Sequence, residues 1–337
     1  MHNSHLSQSA LRFLHKNQLS DALIENLPGD ASTRHYSRLY LGGKSYIFAQ
    51  VPKGTDDIVA TVALTQILAD FGLSVPEVLD YDLGYALILF EDFGDSLYAT
   101  AIAQGAEEVL LYRTACDVLV HLHKQEIPPT LKLPDGADYS LSQCDSGRLS
   151  AEVALFVQWY PGADKDEQDF AHLWKALWPL AWLEKPVLVQ FDYHSPNLIW
   201  LPDREGLQRV GILDFQDSFL GSRAYDLVSL LQDPRRDVPA DLESDMIEYY
   251  LCQHPKLNHR SFRQAYAIMG AQRMTRILGT FARLDRRDGK SHYLNFLPKV
   301  WDLLDRNLDH PACGDLARFF RQGNFARNLS PQAGSQP

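Results

Sequence analysis

The stretch VLVQFDYHSPNLIW, residues 187–200, places a polar loop between two short apolar runs. Apolar runs of this length that are bounded by turn residues predict buried strands. Asp192, His194, Ser195 and Asn197 fall within six positions of the loop. Because polar loops held by a rigid scaffold commonly carry function, this segment is the first candidate for a site.

A further apolar run, RVGILDF at residues 209–215, predicts another strand and contains Asp214 near its end. Two aspartates and a carboxamide that converge on one cleft suit phosphoryl transfer, which needs positioning and charge neutralisation from the protein. Asp192 is the candidate to accept the proton of an attacking hydroxyl. Asn197 and Asp214 are candidate Mg²⁺ ligands, because this ion prefers oxygen donors. The alternative is that Asp192 and Asn197 merely cap a turn.

Upstream of the loop, the pattern predicts a small sheet with one helix. A short amphipathic helix is expected at 6–16, followed by a hairpin that turns at Gly42 and Gly43. A helix at 57–71 and a strand at 85–90 complete a β-β-α-β order.

From about residue 106 onward, apolar residues recur every three to four positions, which predicts helices. The expected helices lie at 106–125, 150–160, 167–183, 224–232, 241–252, 261–287 and 292–306. The tail at 326–337 has a composition typical of disorder.

Composition excludes several classes of protein. The net charge of −11 over 337 residues leaves no basic excess for phosphates, which argues against a nucleic-acid binder. The four cysteines lie far apart and form no CxxC pair, so no zinc thiolate site is expected and a reducing compartment is indicated. No apolar stretch is long enough for a membrane span or a signal peptide. We therefore expect a soluble, cytoplasmic protein.

The segment FDYHSPN followed by ILDF resembles the catalytic and metal-binding loops of aminoglycoside phosphotransferase-like small-molecule kinases. GDASTRHYSRL, LILFEDFGD, LFVQWY and GILDFQDSFLGSRAYDLVSLLQDPRRDV also occur in order. Together with RILGTFARLDRRDGKSHYLNFLP further on, these segments resemble the bacterial N-acetylmuramate/N-acetylglucosamine anomeric 1-kinases, and the resemblance runs from about residue 27 to residue 306.

The resemblance implies an α+β, bilobal, protein-kinase-like fold. A small β-rich N-lobe would span 1–92, and a larger, mostly helical C-lobe would span 93–325, followed by the disordered tail at 326–337. It also implies a monomeric enzyme that uses ATP and Mg²⁺ to phosphorylate the anomeric hydroxyl of a small amino sugar, without nucleic-acid or membrane partners.

The resemblance also assigns roles to residues. Asp192 and His194 would be catalytic, with His194 near the transferred phosphoryl group, and Asn197 and Asp214 would bind the metal. The nucleotide-binding candidates are Gly29, Ala31, Ser32, Thr33, Arg34, Glu91 and Phe93. For the first five, an ordinary hairpin turn is the alternative. For Glu91 and Phe93, the backbone rather than the side chain would contact adenine.

The substrate-binding candidates are Asp217, Glu152, Trp159, Arg273 and Arg276. A sugar pocket needs carboxylates and aromatic faces, and an arginine fork suits the carboxylate of a lactyl group. The alternatives are that Trp159 belongs to the core and that the two arginines pair with acids. We expect Asp226, at the start of a helix, to be structural and to fix the loop through hydrogen bonds.

The chain departs from the family in two places. Gln190 stands where the loop usually has the His of His-x-Asp, a residue that usually buttresses the loop. Ala49 and Gln50 lie near the position of the usual strand lysine, and the following helix has no glutamate to pair with it. Arg34 or Lys53 is the candidate replacement for the missing cation.

Two other functions remain open. The same fold could serve another acceptor, such as an aminoglycoside, choline or homoserine, or the chain could be a catalytically silent nucleotide-binding regulator.

Overall fold

The computed structural model describes residues 6–27, 34–51, 57–163, 167–182 and 185–330. The strands are β1 Leu23–Asn26, β2 His35–Leu41, β3 Lys44–Gln50, β4 Val78–Asp82, β5 Leu87–Glu91, β6 Thr130–Lys132, β7 Asp138–Ser140, β8 Val187–Val189, β9 Leu198–Trp200, β10 Val210–Ile212 and β11 Phe219–Gly221. The α-helices are α1 Gln8–Lys16, α2 Asp57–Asp70, α3 Tyr98–Ala103, α4 Glu108–Leu122, α5 Ser146–Trp159, α6 Glu167–Ala181, α7 Ala224–Leu231, α8 Ala240–Cys252, α9 His259–Asp288, α10 Leu297–Leu308 and α11 Gly314–Gln322.

The chain divides into two compact units. The first unit comprises residues 1–118, 128–141 and 196–218. The second unit comprises residues 119–127, 142–195 and 219–337. The division into lobes at residues 92 and 93 stays a prediction.

The first unit contains a five-stranded antiparallel sheet in the order β1-β2-β3-β5-β4. The predicted hairpin is confirmed: Leu41 pairs with Lys44 across a two-residue turn in which Gly42 and Gly43 have φ values of 60° and 78°. Positive φ at both central positions is the conformation that glycine adopts without steric cost. Phe48 of β3 is buried and stacks on Phe13 of α1, so the helix covers one face of the sheet.

The second unit is mostly helical, and the 30-residue α9 makes close contacts with α5, α6, α7 and α10. Asn258 caps its N-terminus, where the side-chain oxygen accepts a hydrogen bond from the backbone N–H of Ser261 at 3.0 Å. Gly289 ends it with a φ of 66°, the left-handed conformation common after helices. An antiparallel sheet followed by a mostly helical C-terminal part, as predicted from the sequence, is confirmed.

Several elements differ from the sequence predictions. The pattern did not indicate β1, β4 or α11, and a single helix at 292–306 is wrong at its start. Residues Ser291–Phe296 form a 3₁₀-helix and α10 begins only at Leu297, because Pro298 fits the first turn of a helix but not its interior.

Part of the predicted disordered tail lies among the described residues. The Ala326 carbonyl accepts a hydrogen bond from the Tyr160 hydroxyl, and the Arg327 guanidinium pairs with Asp305. Residues 331–337 lie outside the described residues. Within the described residues, no helix is both long and apolar enough to span a membrane.

Candidate active site

The loop after β8 begins with a strained turn. The backbone N–H of Asp192 donates to the carbonyl of Gln190 at 2.9 Å, and Phe191 between them has a φ of 72°. A hydrogen bond across three residues with a positive central φ is a γ-turn of the rare, strained kind. The strain therefore lies directly before the candidate catalytic carboxylate.

Asp226 of α7 holds this turn through hydrogen bonds to its backbone. Its carboxylate accepts hydrogen bonds from the backbone N–H of Gln190 at 2.7 Å and of Phe191 at 3.0 Å. Burial raises the pKa of Asp226 to about 7, while these two donors act to lower it. The structural role expected for Asp226 is confirmed, and its bonds go to the loop rather than to the start of its own helix.

Two arginines of α9 lie beside Asp192. Its Oδ1 is 3.6 Å from a terminal nitrogen of Arg273 and 3.8 Å from one of Arg276. Burial acts to raise the pKa of Asp192, but Arg276 and Arg273 outweigh it, so the pKa is lowered. Arg273 also donates to the carbonyl of Phe191 at 3.2 Å. Asp192 is therefore a carboxylate at neutral pH, as a proton acceptor must be.

The two arginines are three positions apart from each other in the sequence and lie on one face of α9. Arg273 is 2% exposed and Arg276 somewhat more open. The sequence left their role open, and the structure shows them close to an acid. Their direct contact with a substrate stays a prediction.

His194 is buried and close to Asp192, with Nε2 3.9 Å from the same Oδ1. Burial lowers the pKa of His194 to about 4, with Asp233 opposing the shift. At neutral pH the imidazole is uncharged, so it contributes polarity rather than positive charge. The following Ser195 hydroxyl donates to the Asp233 carboxylate at 2.7 Å, a contact that spacing in the sequence did not indicate.

The two candidate metal ligands lie at one end of a hairpin in the first unit. β9 and β10 pair antiparallel, with Leu198 opposite Ile212. One step beyond that pair, the N–H of Leu213 donates to the carbonyl of Asn197 at 2.9 Å. Asn197 therefore lies next to the segment that carries Asp214, which has a φ of 56°.

The neighbours of Asp214 supply amide and cationic donors. Gln216 Nε2 donates to Asp214 Oδ1 at 2.9 Å and to Asp217 Oδ2 at 3.2 Å. Arg34, which directly precedes β2, lies with a terminal nitrogen 3.4 Å from Asp214 Oδ1. Sequence reasoning missed Gln216, although its position between two acids was a usable signal. Its amide links the candidate metal ligand to the candidate substrate residue Asp217.

The segment 91–95, which begins at the last residue of β5, is held by charged side chains of the first unit. Arg38 of β2 forms a two-nitrogen contact with Asp95 at 2.8 Å and pairs with Asp92 at 2.7 Å. Arg204 pairs with Glu91 at 2.8 Å and lies 4.7 Å from the centre of the Phe93 ring. The side chains here fix the loop, which agrees with a role for its backbone in nucleotide binding. That role stays a prediction.

The remaining candidates fall into two groups. Glu152 of α5 accepts hydrogen bonds from Gln272 at 2.7 Å and from Arg148 at 3.2 Å, and Trp159 is half-buried as the last residue of α5. Outside the described residues lie Gly29, Ala31, Ser32, Thr33 and Lys53.

The donor set suits Mg²⁺. A carboxylate and a carboxamide oxygen are hard ligands, and this ion is commonly held by one or two carboxylates together with substrate phosphates. The Asp214 side chain is partly exposed, which a residue that binds the same metal ion as a bound phosphate needs to be. No cluster of three or more His, Cys, Asp or Glu that could hold a metal occurs among the described residues, so a cage built wholly from such side chains is not found there.

Comparison with known proteins agrees with this chemistry. The sequence profile of the phosphotransferase enzyme family, abbreviated APH, matches residues 24–266. An N-acetylmuramate/N-acetylglucosamine kinase of Caulobacter vibrioides is 38% identical over 91% of this chain and 94% of its own. A kinase of the same name from Pseudomonas putida is 30% identical over 87% of each chain.

A solved structure gives the same picture for the fold. The crystal structure of an ADP-bound aminoglycoside phosphotransferase superposes with a TM-score of 0.59 at 15% identity, over 89% of this chain and 97% of that one. This likeness concerns the fold alone, and it confirms the predicted protein-kinase-like class. Since the family profile spans most of the chain and the relatives match over nearly their whole length, the chain belongs to the phosphotransferase enzyme family.

Proposed function

We propose that the protein transfers the γ-phosphoryl group of ATP to the anomeric hydroxyl of N-acetylmuramate or N-acetylglucosamine. The names of the relatives from Caulobacter vibrioides and Pseudomonas putida support the acceptor. The ADP and the GDP in structurally similar aminoglycoside phosphotransferases support a purine nucleotide as the phosphoryl donor. The observation that carries the proposal is Asp192, an ionised carboxylate presented by a strained turn.

Asp192 takes the proton of the anomeric hydroxyl while the oxygen of that hydroxyl forms a bond to the γ-phosphorus of ATP. The bond between the γ-phosphorus and the bridging oxygen breaks, and ADP leaves with that oxygen. A positioned base of this kind contributes about 10²- to 10⁴-fold to the rate. The anomeric hydroxyl is more acidic than an ordinary alcohol, so a carboxylate whose pKa is lowered by Arg276 and Arg273 is a sufficient base.

Asn197 and Asp214 would hold Mg²⁺, which when bound would neutralise the charge that develops during transfer. The phosphates are bound by Gly29, Ala31, Ser32, Thr33 and Arg34, and adenine by the backbone around Glu91 and Phe93. On the acceptor side, Asp217, Glu152, Trp159 and the two α9 arginines bind the sugar.

The charge around Asp192 favours an anionic or neutral acceptor. Arg273 and Arg276 both lie within 4 Å of the carboxylate. A cationic aminoglycoside or choline would place its positive charge beside two guanidinium groups, which is unfavourable. The lactyl carboxylate of N-acetylmuramate would instead gain from them.

Phosphorus NMR of the products from ATP, Mg²⁺ and each candidate acceptor tests the proposal. The panel includes both amino sugars, an aminoglycoside, choline and homoserine. We expect a sugar 1-phosphate signal from the amino sugars. Phosphate on another hydroxyl would reject the anomeric assignment, and no transfer to any acceptor would favour a silent nucleotide-binding protein.

The Asp192→Asn variant tests the role of the base. We expect kcat to fall by about 10²- to 10⁴-fold with little change in the KM of ATP, because the amide cannot accept the proton. Asp245→Asn, at an exposed position of α8, is the matched control and is expected to retain activity. Activity of Asp192→Asn within tenfold of the parent protein would contradict the assignment.

We also propose that the enzyme works as a cytoplasmic monomer on small molecules alone. The net charge of −11 supports the absence of nucleic-acid partners. Light scattering at micromolar concentration measures the oligomeric state directly.

A further inference from the structure

We propose that the aromatic ring of Phe191 is the positioning element that holds Asp192 in its catalytic orientation. This inference rests on the proposed function for the meaning of "catalytic", but its structural part can be tested without a substrate. Phe191 immediately precedes Asp192 and belongs to no group of residues predicted to touch a ligand.

The first step is the strain at Phe191. A φ of 72° is a conformation that residues with a side chain rarely adopt, and the turn it forms is closed by the Asp192 N–H. Such a conformation persists only where the surroundings over-determine it. An identifiable set of contacts must therefore hold Phe191.

Backbone contacts account for part of that set. Asp226 accepts from the N–H of Phe191 at 3.0 Å, and the Phe191 carbonyl accepts from Arg273 at 3.2 Å and from the Ser229 hydroxyl at 3.4 Å. Both polar backbone groups of the strained residue are thus bonded to other elements of the second unit.

The ring contributes a second, independent set. It stacks on Tyr225 with centroids 5.5 Å apart and an angle of 12° between the planes, and it meets Phe219 edge-on at 5.7 Å. The guanidinium carbon of Arg276 lies 4.3 Å from the ring centre. Offset stacking and cation–π contact each stabilise such an arrangement, most strongly where water is excluded.

Arg276 connects the ring to the carboxylate. The same guanidinium that contacts the Phe191 ring lies 3.8 Å from Asp192 Oδ1. The ring therefore fixes Asp192 in two ways, through the backbone turn and through the cation beside the carboxylate.

The residue before Phe191 does not provide this support. Gln190 is 1% exposed, and neither its side-chain oxygen nor its nitrogen has a hydrogen-bond partner among the described residues. The side chain of Gln190 therefore does not hold the loop through hydrogen bonds.

A substitution series at Phe191 separates the ring from the backbone strain. Phe191→Tyr keeps the ring, Phe191→Ala loses it but keeps the unfavourable φ, and Phe191→Gly loses it and relieves the φ. Glycine adopts a positive φ more readily than alanine, by about 5- to 30-fold at equilibrium.

We expect kcat for sugar phosphorylation to fall about 10- to 100-fold in Phe191→Ala, to recover by about 5-fold or more in Phe191→Gly, and to stay within twofold of the parent protein in Phe191→Tyr. The KM of ATP is expected to change less than twofold in all three. A residue that only fills space would give the opposite order for glycine and alanine, because glycine leaves the larger gap. Phe296→Ala, at another half-buried aromatic position of the second unit, is the matched control and is expected to retain kcat.

Hydrogen exchange gives a readout that needs no substrate. The amides of Gln190, Phe191 and Asp192 are all bonded in the parent protein. Exchange in a peptide covering 188–193 is expected to be fastest in Phe191→Ala, intermediate in Phe191→Gly and slow in Phe191→Tyr, with circular dichroism confirming that all variants are folded.

The two proposals fail in different ways. If the parent protein makes no sugar 1-phosphate while exchange follows the expected order, the proposed function fails and the positioning role stands. The positioning role is overturned if Phe191→Ala keeps more than half of the parent kcat, or if its exchange at 188–193 matches that of the parent protein.

Discussion

At the residue scale, unusual backbone conformations occur in two of the segments that carry candidate site residues. Phe191 and Asp214 are two of the few non-glycine residues with positive φ among those described. One precedes the candidate base, and the other is itself a candidate metal ligand. Strained residues commonly cluster at functional sites, where the surroundings hold them in place. The sequence pointed to Asp192 and Asp214 as candidates. It gave no sign of the strain at Phe191 and Asp214, since neither of these positions carries glycine.

Lys53, one candidate to replace the missing strand lysine, lies outside the described residues, and the other candidate is Arg34. Its guanidinium lies 3.4 Å from Asp214, while β3 carries Ala49 and Gln50 near the expected lysine position. We expect Arg34→Ala to raise the KM of ATP about tenfold or more, because a charge-assisted contact to phosphate is lost. Steady-state kinetics at saturating sugar measures this effect.

Lys44→Ala, at the exposed start of β3, is the control for loss of a cation from the same sheet. An unchanged KM of ATP in Arg34→Ala, together with a raised one in Lys53→Ala, would assign the role to Lys53 instead.

At the element scale, the second unit depends on a close approach between α5 and α9. A Cβ atom built on Gly279 of α9 would lie 2.3 Å from the backbone carbonyl carbon of Leu155 in α5. The two helix backbones can therefore come this near only where one of them lacks a side chain. α5 carries Glu152, and α9 carries the two arginines beside Asp192, so their spacing affects the site.

Gly279→Ala is expected to destabilise the protein by about 1–3 kcal/mol, because the added methyl group forces the helices apart. Urea denaturation followed by circular dichroism measures the change. Gly314→Ala at the start of α11 is the control. A Cβ there meets nothing within 4 Å, so this variant is expected to cause no loss of stability. Equal stability of the two variants would show that α5 and α9 adjust without cost.

At the scale of the whole molecule, buried histidines make stability depend on pH. His123 in the second unit is buried, contacts the Tyr250 hydroxyl at 2.7 Å and faces Arg223 and His254. Burial lowers the pKa of His123 well below its ordinary value, and both neighbours lower it further. Below about pH 6.5 the unfolded chain takes up a proton at this position and the folded chain does not.

The stability that uncharged His123 contributes is therefore expected to be fully present above pH 6.5. Below that pH, the free energy of unfolding is expected to fall by up to about 1.4 kcal/mol per pH unit because of this group. Asp226, with a pKa raised to about 7, acts in the opposite direction between pH 7 and 4, so a comparison of variants is needed. The free energy of unfolding of His123→Gln is expected to fall less steeply between pH 6.5 and 5 than that of the parent protein. Exposed His172→Gln is the control, and equal slopes for His123→Gln and the parent protein would contradict the prediction.

The sequence by itself determined the order of most elements and the antiparallel sheet before a helical region, and it singled out Asp192, Asn197 and Asp214 as candidate site residues. It could do so because apolar periodicity and turn residues act locally, and because short polar side chains at strand ends can be read from neighbouring letters. Short or edge elements such as β1, β4 and α11 escaped it, since their stability comes from packing rather than from their own pattern.

Only the tertiary structure decided what surrounds the loop that carries Asp192. Asp226 contacts Gln190 across 36 positions of sequence, and Arg273 contacts Phe191 across 82. Local pattern carries no information about such partners, because any of many acids and arginines of this charged chain could have filled those places. The packing of α7 and α9 around the loop selected which acid and which arginine lie there. The same packing places the Phe191 ring where, as proposed, it supports Asp192.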